Sequence, residues 1–319
     1  MGRFRRLRKT DAMRQLVRET ILTPNDVIQP FFVVEGKNKK GMIASMPGIF
    51  RHSTDLLLKA IEEYINVGGK AGLFFGIPER KDNLGSQAYA SRGVVQNAVK
   101  AIKKAFPEFL VITDICLCGY MDHGHCGVIE DQVVDNEKTL ALLGKIAVSH
   151  AEAGSDIVAP SDMMDFRVRH IREGLDKNGF LDVGILSYAV KYSSSFYGPF
   201  REAADSSPQF GDRKTYQMDY ANQREALKEA RQDVMEGADM IMVKPALAYL
   251  DVIALLRKEL TTPLAAYSVS GEYSMIKAAA AKNWINEKDV VLESLTAMKR
   301  AGADIIITYY AREVLQWIG

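Results

Sequence analysis

Three cysteines within eleven residues, and two lysines that each close an apolar run, are the groups in this 319-residue chain best placed to do chemistry. Cys116, Cys118 and Cys126 are all the cysteine there is. An odd, tight cluster cannot form a complete disulfide set, and in a reducing compartment such clusters bind metal. Three thiolates leave the fourth position of a tetrahedral zinc open to water or substrate, which marks a catalytic site rather than a structural one. His123 and His125 lie in the same loop, and either would close the site as a fourth ligand. The alternative is three buried thiols packing as small hydrophobes. Asp114, two residues ahead, is a candidate general base or a partner that orients a ligand, and otherwise a turn cap.

Lys191 ends VGILSYAVK and Lys244 ends MIMVK. A lysine at the end of an apolar strand is partly desolvated, which disfavours the ammonium and lowers its pKa toward a nucleophilic amine able to form a Schiff base with a carbonyl substrate. One such lysine usually snorkels to solvent or pairs with a carboxylate. Two in equivalent places point to two carbonyl groups handled in one pocket. Arg201 and Arg213 are suited to a bidentate clamp on a substrate carboxylate. Ser270, in YSVSGEY, and Tyr309, in ITYYA, are placed to donate to a second one.

The elements that must carry these groups read as an alternation. Apolar runs at Val27–Val34, Ala71–Gly76, Phe109–Ile115, Asp156–Ala159, Val183–Tyr188, Asp239–Val243, Leu264–Val269 and Asp304–Tyr309 are eight candidate strands. Between them, helical spacing predicts helices over Asp55–Val67, Val94–Phe106, Asn136–Ala153, Tyr220–Met235, Ala248–Leu260 and Lys288–Arg300. Strands apolar on both faces belong to covered parallel sheets. Ala153-Gly154-Ser155-Asp156, Glu236-Gly237-Ala238-Asp239 and Ala301-Gly302-Ala303-Asp304 repeat between helix and strand, each glycine suiting a left-handed helix end. Eight βα units need roughly 250 residues, and residues 27–319 supply 319 − 26 = 293. The expectation is an α/β chain folded as a (β/α)8 TIM barrel with an extended N-terminal arm. A doubly wound sheet ranks second, because no glycine-rich phosphate fingerprint follows an early strand.

Residues 1–26, with Arg3, Arg5, Arg6, Arg8 and Lys9, form the expected arm, and residues 27–319 the catalytic barrel. Residues 193–213, rich in Ser, Gly, Pro and aromatic side chains, read as an active-site lid. At 47% apolar and 25% charged residues the composition is that of a globular domain. The net charge, 41 − 40 = +1, offers no global field for nucleic acid or an anionic membrane. No run approaches the ~18 apolar residues of a spanning helix and the start lacks a signal-peptide apolar core, so a cytoplasmic protein with a small-molecule partner is expected.

DICLCGYMDHGHCG, APSDMMD, KYSSSFYGPFR, MVKPALAYLD, YSVSGEY and RAGADIIITYY together resemble the porphobilinogen synthase family, also called 5-aminolevulinic acid dehydratases, in the family's order and across nearly the whole chain. The resemblance implies a lyase that condenses two 5-aminolevulinate molecules to porphobilinogen, with loss of two waters, in tetrapyrrole biosynthesis. By motif position, Lys244 matches the lysine bonded to the substrate that supplies the propionate side, and Lys191 the lysine that engages the second. Arg201 and Arg213 match the second substrate's carboxylate clamp, and Ser270 and Tyr309 the donors to the first. Asp114 and Ser161 are candidate proton carriers. Retention of all three cysteines resembles the zinc-using branch, with the metal a Lewis acid that orients the second substrate. Glu229, in REALKEARQD, matches the position where many bacterial members hold an allosteric magnesium. A homo-octamer with arms wrapped around neighbouring barrels is implied as well. A Schiff-base aldolase would need only one lysine and no thiolates, and a zinc-binding barrel without activity would leave the lysines titrating normally.

Overall fold

The computed structural model describes residues 2–319. Eight parallel strands, β1 Val27–Val34, β2 Ala71–Ile77, β3 Leu110–Ile115, β4 Ile157–Pro160, β5 Gly184–Lys191, β6 Met240–Lys244, β7 Leu264–Ser268 and β8 Ile305–Thr308, hydrogen-bond in chain order, and β8 returns to β1. The sheet is therefore closed, and the expected (β/α)8 barrel is the observed one. Closure explains the uniformly apolar strands: β7 is buried along its whole length and β5 along all but its first residue, since one face meets the barrel interior and the other the helices.

In chain order the helices are α1 Asp11–Leu16, α2 Thr54–Ile65, α3 Val94–Ala105, α4 Asn136–Ala153, α5 Arg167–Lys177, α6 Gly198–Ala203, α7 Arg224–Met235, α8 Leu250–Glu259, α9 Ser270–Ala280, α10 Glu287–Ala301 and α11 Ala311–Ile318. Helix starts are capped locally, as where Asp135 accepts from the Lys138 N–H and Asn286 from the Asp289 N–H. The repeated glycines behave as their context required, with φ of 105° at Gly154, 107° at Gly237 and 122° at Gly302. Periodicity did not announce α5, α9 or α11. In α5 the buried apolar stripe is only Val168, Ile171 and Leu175 among charged residues, while α9 carries Gly271 in its first turn.

Additions to the barrel shape its mouth. A hairpin of Lys40–Met42 and Phe50–Ser53 extends the sheet beside β1. The segment expected as a lid is partly ordered by a single turn, Ser195–Tyr197, followed by α6. Ahead of β1, residues 4–8 form a 3-10 turn and α1 follows, with Phe4, Leu7, Leu16, Val17 and Ile21 exposed.

One polar network ties the helical layer to the lysine-bearing β5. Arg167, 2% exposed, donates to Asp233 on α7 at 3.0 Å and to the Tyr188 carbonyl at 3.3 Å, while the Ser187 hydroxyl donates to Asp233 at 2.5 Å. Asp162, fully buried, lies 4.0 Å from the same guanidinium. Removing the cation would leave two carboxylates in the interior without a counter-charge, at a cost of about 3–5 kcal/mol. Arg167→Met is therefore expected to lower the unfolding free energy by that amount and the denaturant midpoint with it, read by circular dichroism. An unchanged midpoint would show that the network contributes nothing net to stability.

Candidate active site

Lys191 and Lys244 are the last residues of β5 and β6, and they are register partners across the two strands. Both are buried, at 5% and 3% exposure. The barrel thus sets two amines side by side at the carboxyl ends of adjacent strands, where barrel enzymes hold their reactive groups. The Lys244 amine is surrounded by rings: Tyr267 at 4.3 Å, Phe200 at 4.8 Å, Tyr188 at 5.0 Å and Tyr197 at 5.4 Å. Burial in this aromatic cage, together with the charge of Lys191, pulls its pKa down to about 7. The amine of Lys191 donates to the backbone carbonyl of Ser161.

Asp114 sits near both lysines on β3, with one carboxylate oxygen buried and unpartnered. Burial pushes its carboxyl up to about 7, although Lys191 and Lys244 pull the other way. A carboxyl that titrates near neutrality can move a proton in either direction. Ser161 reaches this group twice, through its carbonyl to Lys191 and its side chain to Asp114.

The three thiols converge beside the lysines. Their sulfurs all lie within 4.8 Å of one another, Cys116 and Cys118 at 3.4 Å, and none is in a disulfide. Tetrahedral zinc with Zn–S bonds of ~2.3 Å would hold its sulfurs roughly 3.8 Å apart, so the cluster fits a metal with little movement. Hydrogen bonds from Cys116 and Cys126, and the charges of Arg213 and Lys191, hold the Cys118 thiol well below its ordinary pKa, favouring the ligating thiolate. Neither histidine closes the site. His125 has both ring nitrogens engaged, with the Tyr216 hydroxyl at 3.1 Å and the Phe210 carbonyl at 2.9 Å, and among the described residues no nitrogen or carboxylate joins the three sulfurs. The cluster can bind a metal with one position left open.

Arg213 is buried, donating to the carbonyls of Gly124 (2.9 Å) and Ser206 (2.6 Å), and its Nε has no partner. Arg201 is half-buried with its Nε also unpartnered, and burial plus the neighbouring Arg213 charge disfavour its ionised form. Two guanidinium groups held together with free N–H donors are matched by an anion. Across the mouth, Ser270 accepts from the Phe200 N–H at 2.9 Å and donates to the Phe196 carbonyl at 3.3 Å, tying α9 to the 195–203 segment. Gly271 permits that approach, since a Cβ there would stand 2.5 Å from the Phe196 carbonyl oxygen. Tyr309 is buried, its hydroxyl 3.1 Å from that of Tyr267.

Glu229 stands elsewhere, on α7, in a groove of ≈ 400 Å³ shared with Asp165, Asn222 and Glu225. Burial pushes its carboxyl up to about 7. Among the described residues it does not gather two further ligating atoms within 4.8 Å. Sequence reasoning missed the ring cage. Tyr188 and Tyr267 lie inside apolar strands and read as core, and only the register of β5, β6 and β7 turns them toward Lys244.

A closed parallel barrel with paired buried amines and a metal-competent thiol pocket at its carboxyl-terminal mouth defines an α/β-barrel enzyme. Residues 1–317 match the family described as "Delta-aminolevulinic acid dehydratase". Proteins of that name from Bacillus subtilis (strain 168) and Staphylococcus epidermidis are 57% and 53% identical over 317 and 318 residues, 99% of this chain and 98% of each relative. The crystal structure of delta-aminolevulinic acid dehydratase (porphobilinogen synthase) from Toxoplasma gondii ME49, in complex with the reaction product porphobilinogen, superposes with a TM-score of 0.97 at 48% identity, covering 99% of this chain and 91% of that one. The chain belongs to the delta-aminolevulinic acid dehydratase family, and it is an enzyme of the hydro-lyase class.

The pKa of Lys244 has a direct kinetic consequence. The free amine attacks a carbonyl and the ammonium does not, so imine formation at Lys244 is expected to rise as pH climbs through about 7 and then level off. An ordinary lysine would keep gaining up to about pH 10. Borohydride trapping of a ketone at a series of pH values, followed by peptide mapping, measures this. A midpoint near that of free lysine would contradict the desolvated amine.

Proposed function

We propose that the enzyme condenses two molecules of 5-aminolevulinate to porphobilinogen, with loss of two waters, through imines at Lys244 and Lys191 in tetrapyrrole biosynthesis. The observation that carries the residue assignment is the register pairing of two buried lysines at one barrel mouth, one of them poised to be a free amine at neutral pH. Family membership carries the reaction.

Lys244 attacks the ketone of the first substrate, and loss of water leaves an imine. Lys191 engages the second substrate in the same way. Each imine makes its carbon a better electrophile and the adjoining C–H bonds more acidic, so one substrate is attacked while the other supplies the carbanion. Asp114 accepts and returns the protons, with Ser161 in contact with it. Arg201 and Arg213 receive the carboxylate of the second substrate, which suits their unpartnered Nε groups. Ser270 and Tyr309 receive that of the first, Ser270 giving up its hydrogen bonds to the lid when it does so. The lid, residues 193–213, excludes water from the imines.

Cys116, Cys118 and Cys126 are the proposed zinc ligands. Bound zinc supplies a Lewis acid that draws electrons from the second substrate and orients it. Glu229 is the proposed site of an allosteric magnesium. Magnesium keeps most of its waters and needs only one or two carboxylates, which suits a lone half-buried glutamate in a polar groove. No helix among the described residues is long and apolar enough to cross a membrane, and a cytoplasmic location is proposed with no nucleic-acid or membrane partner.

Following pyrrole formation from 5-aminolevulinate on chelator-stripped protein tests this reading. Activity is expected to return with zinc and not with magnesium alone, and to be absent in Lys244→Ala under every condition. Activity restored by magnesium alone would remove the catalytic role from the thiolates, and a near-normal Lys244→Ala enzyme would refute the imine assignment.

The arm of residues 1–26, with five exposed apolar side chains ahead of β1, supports a homo-octamer in which arms wrap adjacent barrels. Deletion of residues 1–26 is expected to reduce the assembly mass by light scattering well beyond the mass of the arms themselves. An octamer that persists without them would exclude that role.

A further inference from the structure

The buried carboxylate of Glu272, on the first turn of α9, has no cation paired with it. One oxygen accepts from the backbone N–H groups of Ala246 (3.2 Å) and Leu247 (2.9 Å), which directly follow Lys244 and Pro245. The other accepts from the Val269 N–H at 3.1 Å, the residue before Ser270. Ser268, at the end of β7, adds its side-chain hydroxyl. At 3% exposure no water competes for these oxygens. Burial alone would push the carboxyl up strongly, and the four donors hold it back to about 7. On its other side the same turn is held by its carbonyl: Lys244 O accepts from the Tyr197 hydroxyl at 3.0 Å and the Tyr192 N–H at 2.9 Å.

One side chain therefore bridges the two strand ends that carry Lys244 and Ser270. β6 and β7 pair as parallel strands as far as Val243 and Ala266, and beyond that register the Glu272 carboxylate joins the two chain ends through the Ala246, Leu247 and Val269 N–H groups. We propose that Glu272 is a positioning residue that sets the span between the Lys244 amine and the Ser270 hydroxyl, and thereby selects a keto acid of matching length over a ketone that lacks the carboxylate. The proposal rests on the assignment of Lys244 and Ser270 to the same substrate. That substrate's ketone and carboxylate are separated by two methylenes. A shift of about 1 Å in such a span is enough to cost a large factor in productive binding.

The test compares two probes on the intact, zinc-loaded enzyme: 4-oxopentanoate, which has the ketone and carboxylate at the substrate's spacing, and 2-butanone, which has the ketone alone. Each forms an imine with loss of water, and borohydride supplies the hydride that reduces it to a stable secondary amine, located by peptide mapping. The wild-type enzyme is expected to trap the keto acid at Lys244 at far lower concentration than butanone. In Glu272→Gln an amide N–H faces backbone donors, and the selectivity ratio is expected to fall about tenfold or more, with KM for 5-aminolevulinate rising and butanone trapping little changed. A purely structural role would reduce both adducts together and leave their ratio and KM intact, which would overturn the proposal. Should Glu272→Gln not accumulate as folded protein, Glu272→Asp keeps the charge and shortens the reach by one methylene. A lowered ratio in that variant supports the positioning role and an unchanged ratio overturns it. If the wild-type enzyme shows no preference for the keto acid at Lys244, the substrate assignment itself fails. If that preference holds and both variants keep it, only the role of Glu272 fails.

Discussion

Taking a lysine ammonium out of water costs several kcal/mol unless the charge is paired or given up, and this molecule buries two of them next to each other. Lys191 finds a backbone carbonyl, that of Ser161. Lys244 has rings on several sides and a like charge beside it, and the cheaper state is the neutral amine. Much of the surrounding arrangement follows from that constraint. Asp114 is left with an unpartnered oxygen and a carboxyl that titrates near neutrality, because its burial outweighs the opposing pull of the lysines. Tyr197 and Phe200, on the 195–203 segment, complete the cage.

The same field organises the other half of the mouth. Positive charge on Arg213 and Lys191 helps make a thiolate at Cys118 favourable, while burial and the neighbouring sulfurs favour the protonated thiols at Cys116 and Cys126, and negative charge on the cluster in turn stabilises the guanidinium of Arg213. A cluster of three anionic sulfurs would be self-repelling in a dry pocket, and a divalent cation is the group that relieves this. The site is thus built from charges that are each unfavourable alone and tolerable together, and substrate carboxylates would be drawn to the guanidinium donors left unpartnered.

Rigidity comes from outside the mouth. Arg167 locks the β4 to α5 connection, α7 and β5 into one unit through Asp162, Asp233 and the Tyr188 carbonyl. Glu272 does the corresponding work between β6 and β7. Neither residue stood out in the sequence. Neither lies in a segment whose spacing predicted a helix, and their partners lie far along the chain, Asp233 at 66 residues from Arg167 and Leu247 at 25 from Glu272.

The eight strands were legible because each is apolar on both faces and bounded by turn chemistry, both of them local properties. The lysines and cysteines were legible as candidates because they close or follow such strands at short spacing, and six motifs in order carried the family. The helices α5, α9 and α11 were not, since their buried stripes are narrow and their support is tertiary. By itself the sequence determined the alternation of elements, the thiol cluster and the strand-end lysines, because these depend on residue type over a few positions. Only the tertiary structure decided that Lys191 and Lys244 are neighbours, that the histidines stay out of the thiol cluster, and that Lys244 is the desolvated amine. Those outcomes depend on strand register and on rings brought from three separate segments, and pairing and dielectric are properties of the closed barrel rather than of any stretch of chain.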